Sequence, residues 1–209
     1  RAARCFGECA DWRAAQGLSE LSSAALCAPL RECDKGLEYA AEVEAVLSSV
    51  YCPKLLDAHD LQGRPVVYVQ LGHLDLSAAN RRAVTLEMLL RRHVATLEKI
   101  LRAVHASPAG PLRGHLLIHD LHGCTLTKFV RSRALYRALL DIDQKFYPEL
   151  LGKLVCVRAP RLAVWAFEQV KPFIDPRTAA KIELHTGAAP HEALAAYLPF
   201  HRLPVELRS

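Results

Sequence analysis

Four short apolar runs, Val66–Leu71, His115–His119, Leu154–Val157 and Ile182–His185, are each parted from the next by a segment long enough to hold helix. That spacing is the tightest constraint on the chain. Strands joined by a tight turn pair antiparallel, whereas strands joined through a helix need a crossover and pair parallel. The order therefore predicts an α/β fold with a mainly parallel β-sheet covered by helices. Residues 78–105 carry Val84, Leu90, Val94, Leu97, Leu101 and Val104 at helical spacing. Residues 127–146 repeat the pattern, with Val130, Leu135, Leu139 and Ile142 expected to point inward. Further helices are expected over 161–171 and 190–198, and a short one opening with Asp175 as N-cap and Pro176 at the first position. Upstream, Phe6, Cys9 and Trp12 share one stripe, and Ala40, Val43, Val46 or Leu47, and Val50 share another that closes near Pro53.

Composition narrows the function classes. Half of the 209 residues are hydrophobic (51%) and 23% are charged, a balance far from that of disordered chains. No apolar run approaches the roughly 18 residues that a spanning helix needs. The net charge of +5 is too small and too scattered to argue for nucleic acid, but it suits an anionic membrane surface. The densest basic cluster, Arg81-Arg82 with Arg91-Arg92-His93, reads as a solvated helix face. Seven cysteines, an odd number with no Cys-x-x-Cys pair, read as reduced intracellular residues, several of them small core hydrophobes. Cys5 and Cys9 lie one helical turn apart and could share a metal; two buried positions on one face is the plainer reading. The opening Arg1-Ala2-Ala3-Arg4 has neither an initiator Met nor a signal-peptide pattern, so the chain is expected to be a piece of a longer one.

The usual chemistry of parallel sheets is missing. No Gly-x-Gly-x-x-Gly follows a strand, and neither a Walker loop nor a Gly-x-Ser-x-Gly elbow is present. His119 and His122 flank Asp120, yet on a strand they would face opposite ways. No catalytic and no metal residues are therefore expected. What stands out is the third crossover, where Leu162, Val164, Trp165, Phe167 and Val170 are followed by Phe173 and Ile174. A helix this apolar is either fully buried or faces something apolar other than the core.

Four strings then resemble a known family. They are Gly63-Arg64-Pro65-Val66, Ile118-His119-Asp120-Leu121-His122-Gly123, and Phe146-Tyr147-Pro148-Glu149-Leu150-Leu151-Gly152-Lys153 leading to Val157-Arg158-Ala159-Pro160. The fourth is Lys171-Pro172-Phe173-Ile174-Asp175-Pro176-Arg177-Thr178-Ala179-Ala180-Lys181-Ile182. Their order and spacing resemble the CRAL-TRIO lipid-binding domain, typified by the fungal phosphatidylinositol/phosphatidylcholine transfer proteins, over about residues 50–206. The resemblance implies two regions: an N-terminal helical segment over 1–49, the end of a longer one, and the lipid-binding domain over 50–209.

The resemblance implies an apolar cavity floored by the sheet at Val67, Val69, His115, Leu117 and His119. It implies a gate over 161–174, comprising Leu162, Val164, Trp165, Phe167, Val170, Phe173 and Ile174. It implies headgroup contacts from Thr178, Lys181 and Glu149, with weaker matches at Asp60 and Pro65. Positions that contact phosphatidylcholine in transfer proteins are Leu56, Val67, His115 and Leu117 here, so choline recognition is not expected. The implied function is non-enzymatic: binding one phospholipid, phosphatidylinositol above others, and transferring or presenting it between membranes. The bound lipid is the ligand and there is no cofactor. The expected protein is cytoplasmic, peripherally membrane-associated and monomeric, and a phosphoinositide kinase is a candidate partner. Other readings are a lipid-sensing recruitment module of a larger signalling or trafficking protein, or a carrier of a tocopherol, retinoid or squalene.

Overall fold

A computed structural model describes residues 11–12, 45–74, 76, 84–171, 176–187 and 189–208. The chain forms two compact units: residues 1–52, 74–101 and 127–148 make one, and residues 53–73, 102–126 and 149–209 the other.

The second unit holds one five-stranded sheet whose spatial order follows the sequence: β1 Lys54–His59, β2 Pro65–Gln70, β3 His115–Asp120, β4 Leu151–Val157 and β5 Ile182–Leu184. β1 and β2 form an antiparallel hairpin, and the other neighbours are parallel. The sequence reading finds the four parallel strands and misses β1, whose alternation of exposed and half-buried residues carries no apolar run. The crossovers are α1 Leu86–Ala106, α2 Leu126–Phe146, then α3 Arg161–Val170 with α4 Pro176–Ala180, and α5 Pro190–Leu194 follows the sheet. α1 begins well after residue 78 because Thr85 caps it, its Oγ1 accepting from the Met88 amide at 3.2 Å. The helix expected over 190–198 ends at Leu194 and continues as turns.

Parallel register puts Val66, Tyr68, Leu116, Ile118, Val155 and Val157 on one face of the sheet. They form a buried core with Leu194, Leu198, Leu203 and Leu207, so the C-terminal segment seals that face. Val67, Val69, Leu117, His119, Leu154 and Cys156 alternate onto the opposite face and none belongs to that core. Between β3 and β4 the register slips at Gly152. A Cβ there would sit 2.1 Å from the Arg113 carbonyl oxygen, which explains the glycine of the Tyr-Pro-Glu-Leu-Leu-Gly-Lys string.

In the first unit, α2 buries Ser132, Leu135 and Leu139, and both leucines join a cluster with Leu47, Val50, Leu74, Val84 and Leu89. Val130, expected to point inward, is exposed instead, because it lies on the other side of the helix from Leu135 and Leu139. The helix over 45–50 is tied to α1 by Arg92, which donates to the Tyr51 carbonyl and to Ser48 Oγ. His93 is buried between the Tyr51 hydroxyl at 3.2 Å and Asp143 Oδ1 at 2.7 Å. The expected solvated face thus holds for Arg91, which pairs with Glu87, and fails for Arg92 and His93. Arg81 and Arg82 lie outside the described residues, as do Cys5 and Cys9. Trp12 stacks on Phe146 with ring centres 3.9 Å apart.

Candidate functional site

Three of the expected headgroup residues come from the junction of α4 with β5 and the residue two before β4. Thr178 sits exposed within α4. The Lys181 amide donates to the Thr178 carbonyl at 3.0 Å, ending the helix, and the Lys181 carbonyl accepts from Leu154 at 2.7 Å. These two main-chain bonds fix the lysine at the mouth of the sheet. Lys181 Nζ reaches Glu149 Oε2 at 2.8 Å, with the lysine side chain 28% exposed and the glutamate 83%. Glu149 has φ of 60°, a left-handed conformation that a non-glycine residue adopts at a cost of order 1 kcal/mol. An ammonium and a carboxylate with a nearby hydroxyl therefore stand together at the N-terminal ends of β4 and β5.

Asp60 and Pro65 lie elsewhere on that edge. Pro65 is buried and opens β2, two to three strand spacings away, roughly 10–14 Å. Asp60 is buried and shapes the β1–β2 turn. Its Oδ1 accepts from the Gln62 and Arg64 amides at 2.9 Å, and its Oδ2 from Arg64 Nε at 2.7 Å. Both carboxylate oxygens are thus engaged within the hairpin.

Of the expected floor residues, Val67 and Val69 are buried, while Leu117 and His119 are half-buried on the face opposite the C-terminal core. His115 is buried at the start of β3, its Nδ1 2.7 Å from the Leu150 carbonyl. Leu56, grouped with these by the sequence reading, packs instead against the core on the other face, because strand alternation sends it there with Lys54. Cys156 joins the floor-side residues; burial above all, with Cys124 nearby, pushes its thiol up to about 12, so it behaves as a small hydrophobe.

The greasy crossover α3 is no ordinary core helix. Trp165 is 61% exposed and Leu162 50%, while Val164 and Phe167 are half-buried. Val170 closes the helix; Phe173 and Ile174 lie outside the described residues.

A buried knot that the sequence reading did not assemble stands two residues before Pro160, which precedes this helix. Asp120, at the end of β3, accepts from Tyr68 Oη at 3.1 Å, from the His122 amide at 2.9 Å and from Arg158 through two nitrogens. Arg158 has φ of 52°, which turns its guanidinium onto the carboxylate. Burial alone would raise the Asp120 pKa, but the hydrogen bonds from Arg158, the His122 amide and Tyr68 outweigh it and hold it below the ordinary carboxylate value. Two of the strings that carry the family resemblance are therefore halves of one ion pair. At the other end of the sheet Lys153 bonds Glu183 at 2.7 Å and the Ala180 carbonyl at 3.2 Å, and Tyr197 bonds Glu183 at 2.8 Å. Burial first, then Glu183, raises the Tyr197 hydroxyl to about 12. Among the described residues no group of three His, Cys, Asp or Glu side chains could hold a metal, and no helix is long and apolar enough to cross a membrane.

A sheet of this topology, with an exposed apolar crossover helix and a Lys–Glu pair at its N-terminal edge, defines a class, and the comparisons agree with it. The chain belongs to the CRAL/TRIO domain family, whose model matches residues 53–207. It is similar to the Sec14 cytosolic factor of Schizosaccharomyces pombe, 30% identical over 206 residues that cover 97% of this chain and 66% of that protein. It is also similar to the phosphatidylinositol/phosphatidylcholine transfer protein SFH7 of Arabidopsis thaliana, 33% identical over 153 residues, 68% of this chain and 26% of that protein. The crystal structure of Sfh5 shares the fold, with a TM-score of 0.55 at 20% identity over 73% of this chain and 53% of that one. The chain thus spans only part of the length of the proteins it matches. The names of these relatives describe a cytosolic factor and a phospholipid transfer protein, in agreement with the expected lipid-binding class.

Proposed function

We propose that the chain binds one phosphatidylinositol in an apolar cavity and transfers or presents it between membranes. The observation that carries this reading is the Lys181–Glu149 pair beside Thr178. Lys181 supplies a point charge for the phosphate, Thr178 a hydroxyl, and Glu149 accepts from inositol hydroxyls. The acyl chains lie over Val67, Val69, Leu117 and His119, the sheet face that contributes nothing to the C-terminal core. Each buried methylene recovers about 0.8 kcal/mol, so a dry cavity competes with a bilayer. α3 acts as the gate, its exposed Trp165 and Leu162 entering the bilayer interface when it opens. Asp60 and Pro65 contribute at most to the rim of the headgroup site.

In this reading residues 50–209 are the lipid-binding domain, and most of the helical segment expected over 1–49 lies outside the described residues. The protein works in the cytosol as a monomer that touches membranes transiently, and it can hand its lipid to a phosphoinositide kinase. Transfer of labelled phosphatidylinositol between vesicle populations by the purified chain tests the proposal. Loading without transfer would favour the recruitment reading; recovery of a tocopherol or retinoid in place of a phospholipid would overturn the headgroup assignment.

A further inference from the structure

A second apolar surface lies on α2 and is made of residues that belong neither to the gate nor to the headgroup site. Phe129, Val130 and Leu140 are 60%, 49% and 55% exposed. They recur with Arg133 and Arg137 at helical spacing, so the five occupy one face, turned away from the buried Ser132, Leu135 and Leu139. The half-buried Tyr136 borders that face, packing against the Leu135 and Leu139 cluster and stacking on Phe129 with ring centres 5.8 Å apart. Arg133 and Arg137 are exposed and have no ion-pair partner among the described residues. The helix carries five cations, Lys128, Arg131, Arg133, Arg137 and Lys145, against Asp141 and Asp143, and Asp143 is engaged by His93.

We infer that this face of α2 is a docking surface for an anionic phospholipid bilayer. An interfacial helix needs an apolar stripe to sink to the acyl boundary, aromatics for the headgroup layer and cations for acidic lipids, and this face holds all three. Arginine side chains interleaved with the apolar ones lay their stems along the stripe and lift their guanidinium groups to the phosphates. The charge decides between occupants: an uncharged groove on a protein partner would leave Arg133 and Arg137 without counter-charges, whereas an acidic membrane supplies them everywhere along the helix. The inference rests on the carrier reading only for the choice of a bilayer as partner. It assigns attachment to α2 and leaves lipid exchange to α3.

Flotation of the purified chain with phosphatidylcholine vesicles, and with vesicles containing added phosphatidylserine, both free of phosphatidylinositol, tests it. The parent chain should bind the acidic vesicles more tightly, and salt should weaken that binding. Arg133→Gln with Arg137→Gln should lower affinity for acidic vesicles on the order of tenfold or more while leaving the weak neutral-vesicle binding. Phe129→Ser with Leu140→Ser should lower binding to both, and Lys99→Gln, on α1, should change neither. Thermal melts of all variants should match the parent; a drop of many degrees in the serine pair would place these side chains in packing and overturn the inference. Unchanged vesicle affinity in both α2 pairs would also overturn it and assign the face to a protein partner. Phosphatidylinositol loading, read by native mass spectrometry, should be the same throughout. A parent chain that loads the lipid yet ignores acidic vesicles contradicts this inference alone; one that binds the vesicles through α2 but loads no phosphatidylinositol contradicts the carrier reading alone.

Discussion

Replacing Lys181 by Ala should change lipid affinity far more than it changes stability. In the free protein Lys181 Nζ has Glu149 as its side-chain partner, at 2.8 Å, and the glutamate is largely in water. An exposed pair of this kind contributes about 0–1 kcal/mol. The two bonds that hold the segment, from the Lys181 amide to Thr178 and from Leu154 to the Lys181 carbonyl, are main-chain and survive the substitution. The melting temperature should therefore fall by no more than about 4 °C. A phosphate bound at Lys181 loses a charge-assisted hydrogen bond, about 1.5–3 kcal/mol. That corresponds to a loss of roughly 10–150-fold in affinity. Competition between phosphatidylinositol and phosphatidylcholine for loading, scored by native mass spectrometry beside a thermal melt, measures both quantities. Unchanged phosphatidylinositol preference in a folded variant would refute the headgroup assignment. A large melting shift with no change in preference would make Lys181 a structural lysine.

Phosphatidylcholine should transfer poorly, because Val67 and Leu117 offer no hydroxyl and an unpaired polar headgroup in an apolar site costs a few kcal/mol; equal transfer of the two lipids in one assay would contradict this. Phe167→Asp should leave the circular dichroism spectrum intact but block exchange, and with Trp12 replaced by Phe the emission of Trp165 should shift to the blue on vesicle addition. Asp120→Ala should cost about 3–5 kcal/mol in urea denaturation, since it strands a buried Tyr68 hydroxyl and the Arg158 guanidinium. Asp120 and Glu183 are both held below the ordinary carboxylate value; for each, burial pushes the other way and is outweighed, for Glu183 by hydrogen bonds from Lys153 and Tyr197. Their stabilisation is present at neutral pH and is lost as the pH falls through and below about 4. Asp120→Asn should flatten that acid loss, and an acid limb identical to the parent's would assign it to other carboxylates.

Much of this architecture is legible in the residue order, and the misses have physical causes. β2, β3 and β4 announce themselves because buried parallel strands are continuous apolar runs. β1 is an edge strand with Lys54, Asp57 and His59 facing water, so it has no run to find, although the Asp60–Gly63 turn leading back from β2 is a hairpin signal. The start of α1 was readable from Thr85, whose capping role a hydrophobic pattern does not express. For the site, the spacing of Thr178 and Lys181 tells of their proximity, but the Lys181–Glu149 pair joins residues far apart in sequence and needs the β4–β5 pairing to be known. The same holds for Asp120 and Arg158, which are separated by the whole of α2. Leu56 shows the converse, a residue matched by position to the choline contacts Val67, His115 and Leu117 and turned to the other face by the hairpin.

The central claim, that this chain is a phosphatidylinositol carrier, is tested most directly by what it picks up. The purified chain, incubated with vesicles of phosphatidylcholine and phosphatidylinositol and re-isolated, should show by native mass spectrometry one added mass per chain, that of phosphatidylinositol. A chain that returns empty, or that carries phosphatidylcholine in proportion to its abundance in the vesicles, would contradict the account.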